Sequence, residues 1–209
     1  MRRLIPLILS MTFLVLPVRA ARGSRYVALT FDDGPSGKYT RALLDGLYDR
    51  GAKATFLLCG YRIQDYPEIA RRIVDEGHEI GFHGYSHDPM KTMSRRQIAQ
   101  ELMDTQVLLP VGCHPAFLRP PGGFSSDAVR QVAQARGLAI LHWSVDPHDW
   151  EIHNEQAIEK AVMEQVKDGD IILLHDMTTA SVEACQQVSR AFRHPARQCP
   201  MSLLHNQLP

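Results

Sequence analysis

The chain has 209 residues, of which 44% are hydrophobic and 22% charged, a composition typical of a globular protein with a buried core. This length predicts one domain with at most a short appendage. Lysine plus arginine and aspartate plus glutamate both number 23, so the chain lacks the basic surplus with which nucleic-acid-binding domains neutralise phosphates.

The N-terminal residues differ from this average. Two arginines precede an apolar segment over residues 4–18, which contains two prolines and is followed at Ala20 by a small residue where a signal peptidase cleaves. An uncleaved membrane anchor is the alternative, but a bilayer span needs about 20 apolar residues. We therefore predict a secretory signal peptide over residues 1–20, an exported domain over residues 21–209, and no stable membrane span after cleavage.

Short β-rich segments follow in chain order. Those with the length and the Val, Ile, Leu and Phe content of buried parallel strands are residues 26–31, 53–58, 79–82, 116–118, 138–145 and 170–174. Helices between them are marked by Pro67 and Gly77, by Ser94 with Gln97 as a capping box, by Ser126 and Gly137, and by Asn154 and Gly169. A last helical pattern spans residues 181–193. This alternation predicts a parallel α/β sheet, either open or closed as a barrel.

Side chains with catalytic or metal-binding chemistry follow these strands. They are Asp32 and Asp33, His83 and His87, Arg119, Asp146 and Asp149, and His175. In a barrel, the loops after the strands meet over one pocket, so we expect these side chains to converge. No glycine-rich phosphate-binding motif follows a strand, which disfavours the nucleotide-binding forms of the fold.

One carboxylate and two imidazoles within this group have the chemistry of a metal site. Asp33, His83 and His87 are ligands of the kind that hold a divalent metal and leave positions for water and substrate. Each has a simpler explanation when taken alone, such as turn chemistry for an aspartate that precedes Gly-Pro. If the strand continues through Asp32 and Asp33, their side chains point to opposite sides.

Five segments in order resemble the motifs of the polysaccharide deacetylases, the NodB-like carbohydrate esterase family 4. They are TFDDGPS at residues 30–36, HGYSH at 83–87, RPPGG at 119–123, DPHDW at 146–150 and ILLH at 172–175. The corresponding family motifs are TFDDGPS, H-[ST]-x-x-H, RxPxG, DxxDW and LxLH. The resemblance implies a distorted (β/α) barrel of about seven parallel strands. It also implies a metal-dependent hydrolase that removes acetyl groups from a polysaccharide or oligosaccharide, which the predicted signal peptide would export.

The resemblance also implies a role for each site residue. Asp33, His83 and His87 would be the metal ligands. Asp32 would be the general base and His175 the general acid, in keeping with the chemistry of carboxylates and imidazoles. Arg119 would orient Asp32, and Asp149, with Asp146 as the second choice, would hold both Arg119 and His175. The Gly122 N–H would stabilise the oxyanion, and Trp150 with Leu174 would enclose the acetyl methyl group.

Three departures from the family pattern affect these expectations. Gly84 replaces the usual Ser or Thr, so a hydrogen bond that steadies the histidine loop is expected to be missing. Gly122 replaces the usual aromatic residue, which should open the groove. The segment after residue 193 has strand-like character only over residues 201–204, so the barrel is expected to be incompletely closed.

Several alternatives stay open at this stage. N-deacetylation of N-acetylglucosamine-type residues is favoured over O-acetyl ester cleavage on a glycan such as xylan, but the machinery suits both. An Fe(II) oxygenase has the same ligand set without explaining Asp32, Arg119 and His175, and a non-catalytic sugar-binding protein would not need Asp32 or His175. Zinc is the expected metal, with Co, Ni or Mn possible. The pairing of the four cysteines is open; they are Cys59, Cys113, Cys185 and Cys199.

Overall fold

The structure, a computed structural model, describes residues 26–192 and Met201. The predicted signal peptide and Cys199 therefore lie outside the described residues. Six parallel strands form one sheet in the order β5-β4-β3-β2-β1-β6. Their bounds are β1 Ala28–Asp32, β2 Thr55–Leu58, β3 Glu79–Phe82, β4 Phe117–Leu118, β5 Ala139–Ile140 and β6 Ile171–His175. The predicted parallel α/β architecture is confirmed.

Seven α-helices within residues 26–192 pack around the sheet. They are α1 Tyr39–Tyr48, α2 Gly60–Asp65, α3 Pro67–Asp75, α4 Arg95–Gln106, α5 Asp127–Ala135, α6 Glu155–Gln165 and α7 Thr179–Ala191. The predicted caps are confirmed at Ser94, Ser126 and Asn154, each of which accepts a hydrogen bond from the backbone N–H three residues later. The helix α6 ends at Gln165, earlier than the predicted Gly169. Helices α1 and α2 were not predicted.

The chain after β5 joins the two edges of the sheet. The predicted strand over residues 138–145 is divided into β5, which pairs with β4, and Val145, which forms a parallel bridge with Ile172 of β6. The N–H groups of Ser144 and Val145 donate to the carbonyl of Ile171, at 2.9 and 3.1 Å. The sheet is therefore curled into a partial barrel of six strands, where about seven were expected, and the residues between β5 and Val145 cross its open side.

The two faces of the sheet bury different side chains. Leu29 and Phe31 of β1 pack with the helices in the largest hydrophobic cluster, whereas Ala28 belongs to a small cluster inside the curl. Met201 is buried in this inner cluster, and its N–H donates to Thr55 Oγ1 at 3.1 Å. Met201 is helical, so the strand-like character expected over residues 201–204 is wrong at its first residue, and residues 202–204 lie outside the described residues.

Within the part of the chain that the structure describes, no helix has the length and apolar character needed to cross a membrane.

Cys59, Cys113 and Cys185 are free thiols. Burial raises the pKa of the Cys185 thiol to about 12.

Candidate active site

An open pocket of about 340 Å³ lies at the carboxyl ends of the strands. Its lining includes most of the predicted site residues, namely Asp32, Asp33, His83, His87, Gly122, Trp150 and His175. Asp146 also lines the pocket, as expected for a side chain that follows a strand, whereas two further lining residues, Trp143 and Leu173, had no predicted place there. Side chains distant in sequence therefore converge because parallel strands end at the same edge of the curled sheet.

Asp33, His83 and His87 form a compact group at the bottom of this pocket. The Oδ1 atom of Asp33 lies 3.2 Å from His83 Nε2 and 3.0 Å from His87 Nε2. All three potential ligand atoms lie within 4.8 Å of one another. Asp33 Oδ1 is buried and has no hydrogen-bond partner among the described residues. A buried carboxylate oxygen that faces two imidazole nitrogens suits a cation, so these residues could hold a metal ion.

Backbone conformation directs two of these three side chains. Asp33 and His87 have φ angles of 71° and 67°, in the left-handed region that residues other than glycine seldom adopt. The turn at Asp33 ends the strand alternation, so Asp32 and Asp33 both reach the pocket. Because β1 ends at Asp32, the strand does not continue through Asp33, and the opposite orientation expected for a continuous strand does not arise.

His83 is oriented by its second ring nitrogen. Its Nδ1 lies 2.7 Å from the carbonyl oxygen of Arg119, which implies that Nδ1 carries the proton and donates it there. This bond leaves Nε2 free to face Asp33. A backbone acceptor behind a histidine ligand is the usual way in which proteins fix the tautomer at a metal site.

The Asp33 carboxylate is held in its ionised form by its surroundings. Burial by itself would raise its pKa, but the His83 and His87 imidazoles lower the pKa well below its usual range. Asp33 conversely raises the pKa of His87. The negative charge is therefore available at neutral pH.

Asp32 is paired with a buried arginine. Arg119 is fully buried, and its Nη1 donates to Asp32 Oδ1 at 2.6 Å and to Thr30 Oγ1 at 2.9 Å. Its other donors reach the carbonyls of Leu141 and His142, at 3.2 and 3.1 Å. These bonds use the planar fork of the guanidinium and hold the Asp32 carboxylate in one orientation.

His175 and Asp149 form a second polar pair. Asp149 Oδ1 lies 2.8 Å from His175 Nδ1, and Asp149 Oδ2 accepts the His175 backbone N–H at 2.8 Å. Burial opposes protonation of the ring, but the bond and charge of the fully buried Asp149 raise the pKa of His175 to about 9. Among the described residues, no hydrogen bond or salt bridge joins Asp149 to Arg119. The prediction that it holds both side chains is therefore wrong for Arg119.

Leu173 lines the pocket in the place predicted for Leu174, so the prediction that Leu174 contacts the acetyl methyl group is wrong. Leu174 is fully buried in the hydrophobic cluster beneath the helices. Side chains alternate along a strand, so the residue that shares a face with His175 is Leu173, two positions earlier. Trp150 lines the pocket as expected and is 55% exposed.

Gly122 lines the pocket next to an aromatic side chain. Its φ is 68°, and a Cβ atom there would lie 3.3 Å from the ring of Phe124. Lys91 Nζ lies 4.4 Å from the centre of the same ring. The ring of Phe124 therefore lies beside Gly122, and the opened groove expected from the missing aromatic side chain stays a prediction. Trp143 packs against Gly123, the residue after Gly122. A Cβ atom added to Gly123 would lie 2.5 Å from the Trp143 ring.

The correction from Leu174 to Leu173 can be tested with a matched pair of variants. Leu174→Ala is expected to lower the free energy of unfolding by about 2–5 kcal/mol, as for other buried leucines. Leu173→Ala is expected to reduce kcat/KM for an acetylated substrate more strongly than Leu174→Ala does. Denaturant unfolding and steady-state kinetics measure the two effects. Identical behaviour of the variants would contradict the assignment of opposite faces.

Comparison with known proteins identifies the class to which this fold and site belong. The family description "polysaccharide deacetylase" matches residues 19–141, more than half of the chain. The solved peptidoglycan deacetylase PdaC from Bacillus subtilis is 34% identical, with a TM-score of 0.82 over 88% of this chain and 91% of that one. The chain therefore belongs to the polysaccharide deacetylase family.

Two curated relatives give this membership more detail. A chitooligosaccharide deacetylase of Sinorhizobium fredii is 38% identical over 161 residues, which cover 76% of this chain and 75% of the relative. The peptidoglycan-N-acetylglucosamine deacetylase PgdA of Listeria monocytogenes is 37% identical over 168 residues, which cover 78% of this chain. The matched region is only 35% of PgdA.

Proposed function

We propose that this protein is an exported, metal-dependent deacetylase that hydrolyses N-acetyl groups on N-acetylglucosamine-type residues of a polysaccharide or oligosaccharide. One observation carries the proposal. Asp33, His83 and His87, the Arg119-bound Asp32, and the Asp149-bound His175 all face one pocket. The relatives named as chitooligosaccharide deacetylase and peptidoglycan-N-acetylglucosamine deacetylase support the substrate class.

In this proposal Asp33, His83 and His87 hold the metal, and zinc is the expected ion. A divalent ion bound there would supply Lewis acidity, which makes water acidic enough to attack near neutral pH. Cobalt, nickel or manganese would suit the same ligands. Export is proposed because the polymers deacetylated by peptidoglycan-directed relatives belong to the cell wall.

Asp32 acts as the general base. Its Oδ2 lies 3.8 Å from His83 Nε2, close enough to the metal ligands to accept a proton from the attacking water without being one of them. The buried Arg119 keeps Oδ1 occupied and so directs the second oxygen toward the pocket.

His175 acts as the general acid. Its Nδ1 is bound to Asp149, so Nε2 is the atom that delivers the proton to the departing amine. A pKa of about 9 keeps the ring protonated at neutral pH. The Gly122 N–H would stabilise the oxyanion, and Leu173 with Trp150 would enclose the acetyl methyl group.

The test is acetate release by the zinc-loaded protein from a matched panel of glycans. The proposal expects activity on chitooligosaccharides or peptidoglycan fragments and little on acetylated xylan. Preferential hydrolysis of xylan O-acetyl groups would replace it with the esterase alternative. Absence of release from every member, with metal bound, would refute the enzymatic function.

The raised pKa of His175 predicts the alkaline limit of activity. The rate should fall as pH rises through about 9, because the acid then loses its proton. Asp149→Asn removes the charge that raises this pKa, so the alkaline limb should move toward lower pH. Because the pKa of His175 is higher in the folded than in the unfolded protein, its protonated form also stabilises the fold. This stabilisation is fully present at pH values below about 6.5 and is lost as the pH rises through about 9.

Profiles of kcat/KM against pH for both proteins measure this shift. Asp146→Asn is the control, because Asp146 lines the pocket but accepts its hydrogen bond from the His148 N–H instead of from His175. An alkaline limb unchanged in Asp149→Asn would contradict the role of Asp149.

A further inference from the structure

The short loop that joins His83 to His87 is held from two sides. On one side, the first residues of α2 donate to its carbonyl groups. Gly60 N–H donates to Gly84 O at 2.9 Å, and Tyr61 N–H donates to Tyr85 O at 3.1 Å. The carbonyl groups of this loop are therefore fixed by the N-terminal turn of a neighbouring helix.

A single carboxylate oxygen holds the opposite side. Glu101 Oε2, on α4, accepts hydrogen bonds from Tyr85 N–H at 2.7 Å, Ser86 N–H at 2.8 Å and Ser86 Oγ at 3.1 Å. Glu101 is partly buried and lies outside the five sequence motifs. Hydrogen bonds to a carboxylate are stronger than bonds between neutral groups, so these bonds, two from backbone N–H groups and one from the Ser86 hydroxyl, are the principal restraint on this side of the loop.

The backbone of the loop explains why such a restraint is needed. Gly84 has a φ of 88°, and a Cβ there would lie 2.9 Å from Met90 Cε and 3.3 Å from Glu101 Oε2. His87 has a φ of 67° although it carries a side chain. Conformations of this kind persist only where the surrounding structure fixes them, and Ser86, directly before His87, is bound to Glu101 twice.

We infer that Glu101 is a positioning residue that holds His87 in its left-handed conformation and so sets the spacing of the Asp33, His83 and His87 group. The inference rests on the proposed metal role of these three residues. It also explains how the loop stays ordered although Gly84 lacks the hydroxyl expected at that position.

The inference is tested by the affinity of the metal-free protein for zinc, measured by competition with a chelator of known affinity. Glu101→Ala is expected to weaken binding by about 10- to 100-fold, as for other groups that orient metal ligands. Glu101→Gln retains an oxygen acceptor without the charge, so it should recover part of the loss. Asp104→Asn is the matched control on α4, because Asp104 accepts a surface hydrogen bond from Gln100 and, in the described part of the chain, none from the histidine loop.

Ile98→Val separates positioning from stability. Ile98 is buried on α4, so this variant should lower the Tm and leave the zinc affinity unchanged. Wild-type zinc affinity in a folded Glu101→Ala protein would overturn the inference, as would equal weakening in Ile98→Val. If Glu101→Ala does not fold, wild-type affinity in Glu101→Gln would overturn it. Because zinc affinity is measured without substrate, failure of the proposed deacetylation would appear separately, as absent acetate release by the wild type.

Discussion

Asp32→Asn is expected to retain the metal and lose about 100- to 10,000-fold in acetate release, the range typical of a removed general base. Asn keeps the size of the side chain and an oxygen acceptor for Arg119, but it cannot take a proton. Asp33→Ala is expected to fail for a different reason, because it removes one of three proposed ligands. Metal content and acetate release measured on the same purified proteins distinguish the two effects.

The folded state needs a control in this experiment, because Arg119 is buried and Asp32 supplies its negative partner. Removing one charge of a buried pair destabilises a protein by about 3–5 kcal/mol when nothing replaces it. Thermal unfolding of Asp32→Asn therefore accompanies the kinetics. A folded, metal-bound and fully active Asp32→Asn enzyme would eliminate Asp32 as the base.

His175→Ala is expected to lose at least about tenfold more activity on an N-acetyl glycan than on an aryl acetate, a difference of roughly 1.4 kcal/mol in the barrier. An amine must be protonated in order to leave, whereas a phenolate has a low enough pKa to leave without a proton. The variant should also lack the alkaline limb, because the group that titrates there has been removed.

Both substrates are measured with the same enzyme preparation, so metal loss or misfolding would affect them together. Trp150→Ala is a suitable comparison, since it alters the pocket without removing a proton donor. Equal losses of His175→Ala on amide and ester would show that His175 acts through the structure of the site. Another side chain would then have to supply the proton.

The amino-acid sequence by itself determined the features that depend on near neighbours along the chain. The alternation of strands and helices follows from the period of buried side chains, and the caps at Ser94, Ser126 and Asn154 follow from bonds that span three residues. The order of five motifs was also sufficient to place the chain in its family. These features need no knowledge of how the sheet curls.

Only the tertiary structure decided which of these residues meet and how. The turn at Asp33 brings two adjacent carboxylates to one pocket, strand register directs Leu173 inward where Leu174 was expected, and Asp149 pairs with His175 alone. No sequence motif includes Glu101, which lies on α4, 15 residues after Ser86, and contacts the histidine loop only because the helix packs beside it. Such contacts depend on the curl of the sheet and on the packing of helices against it, which no local period in the sequence encodes.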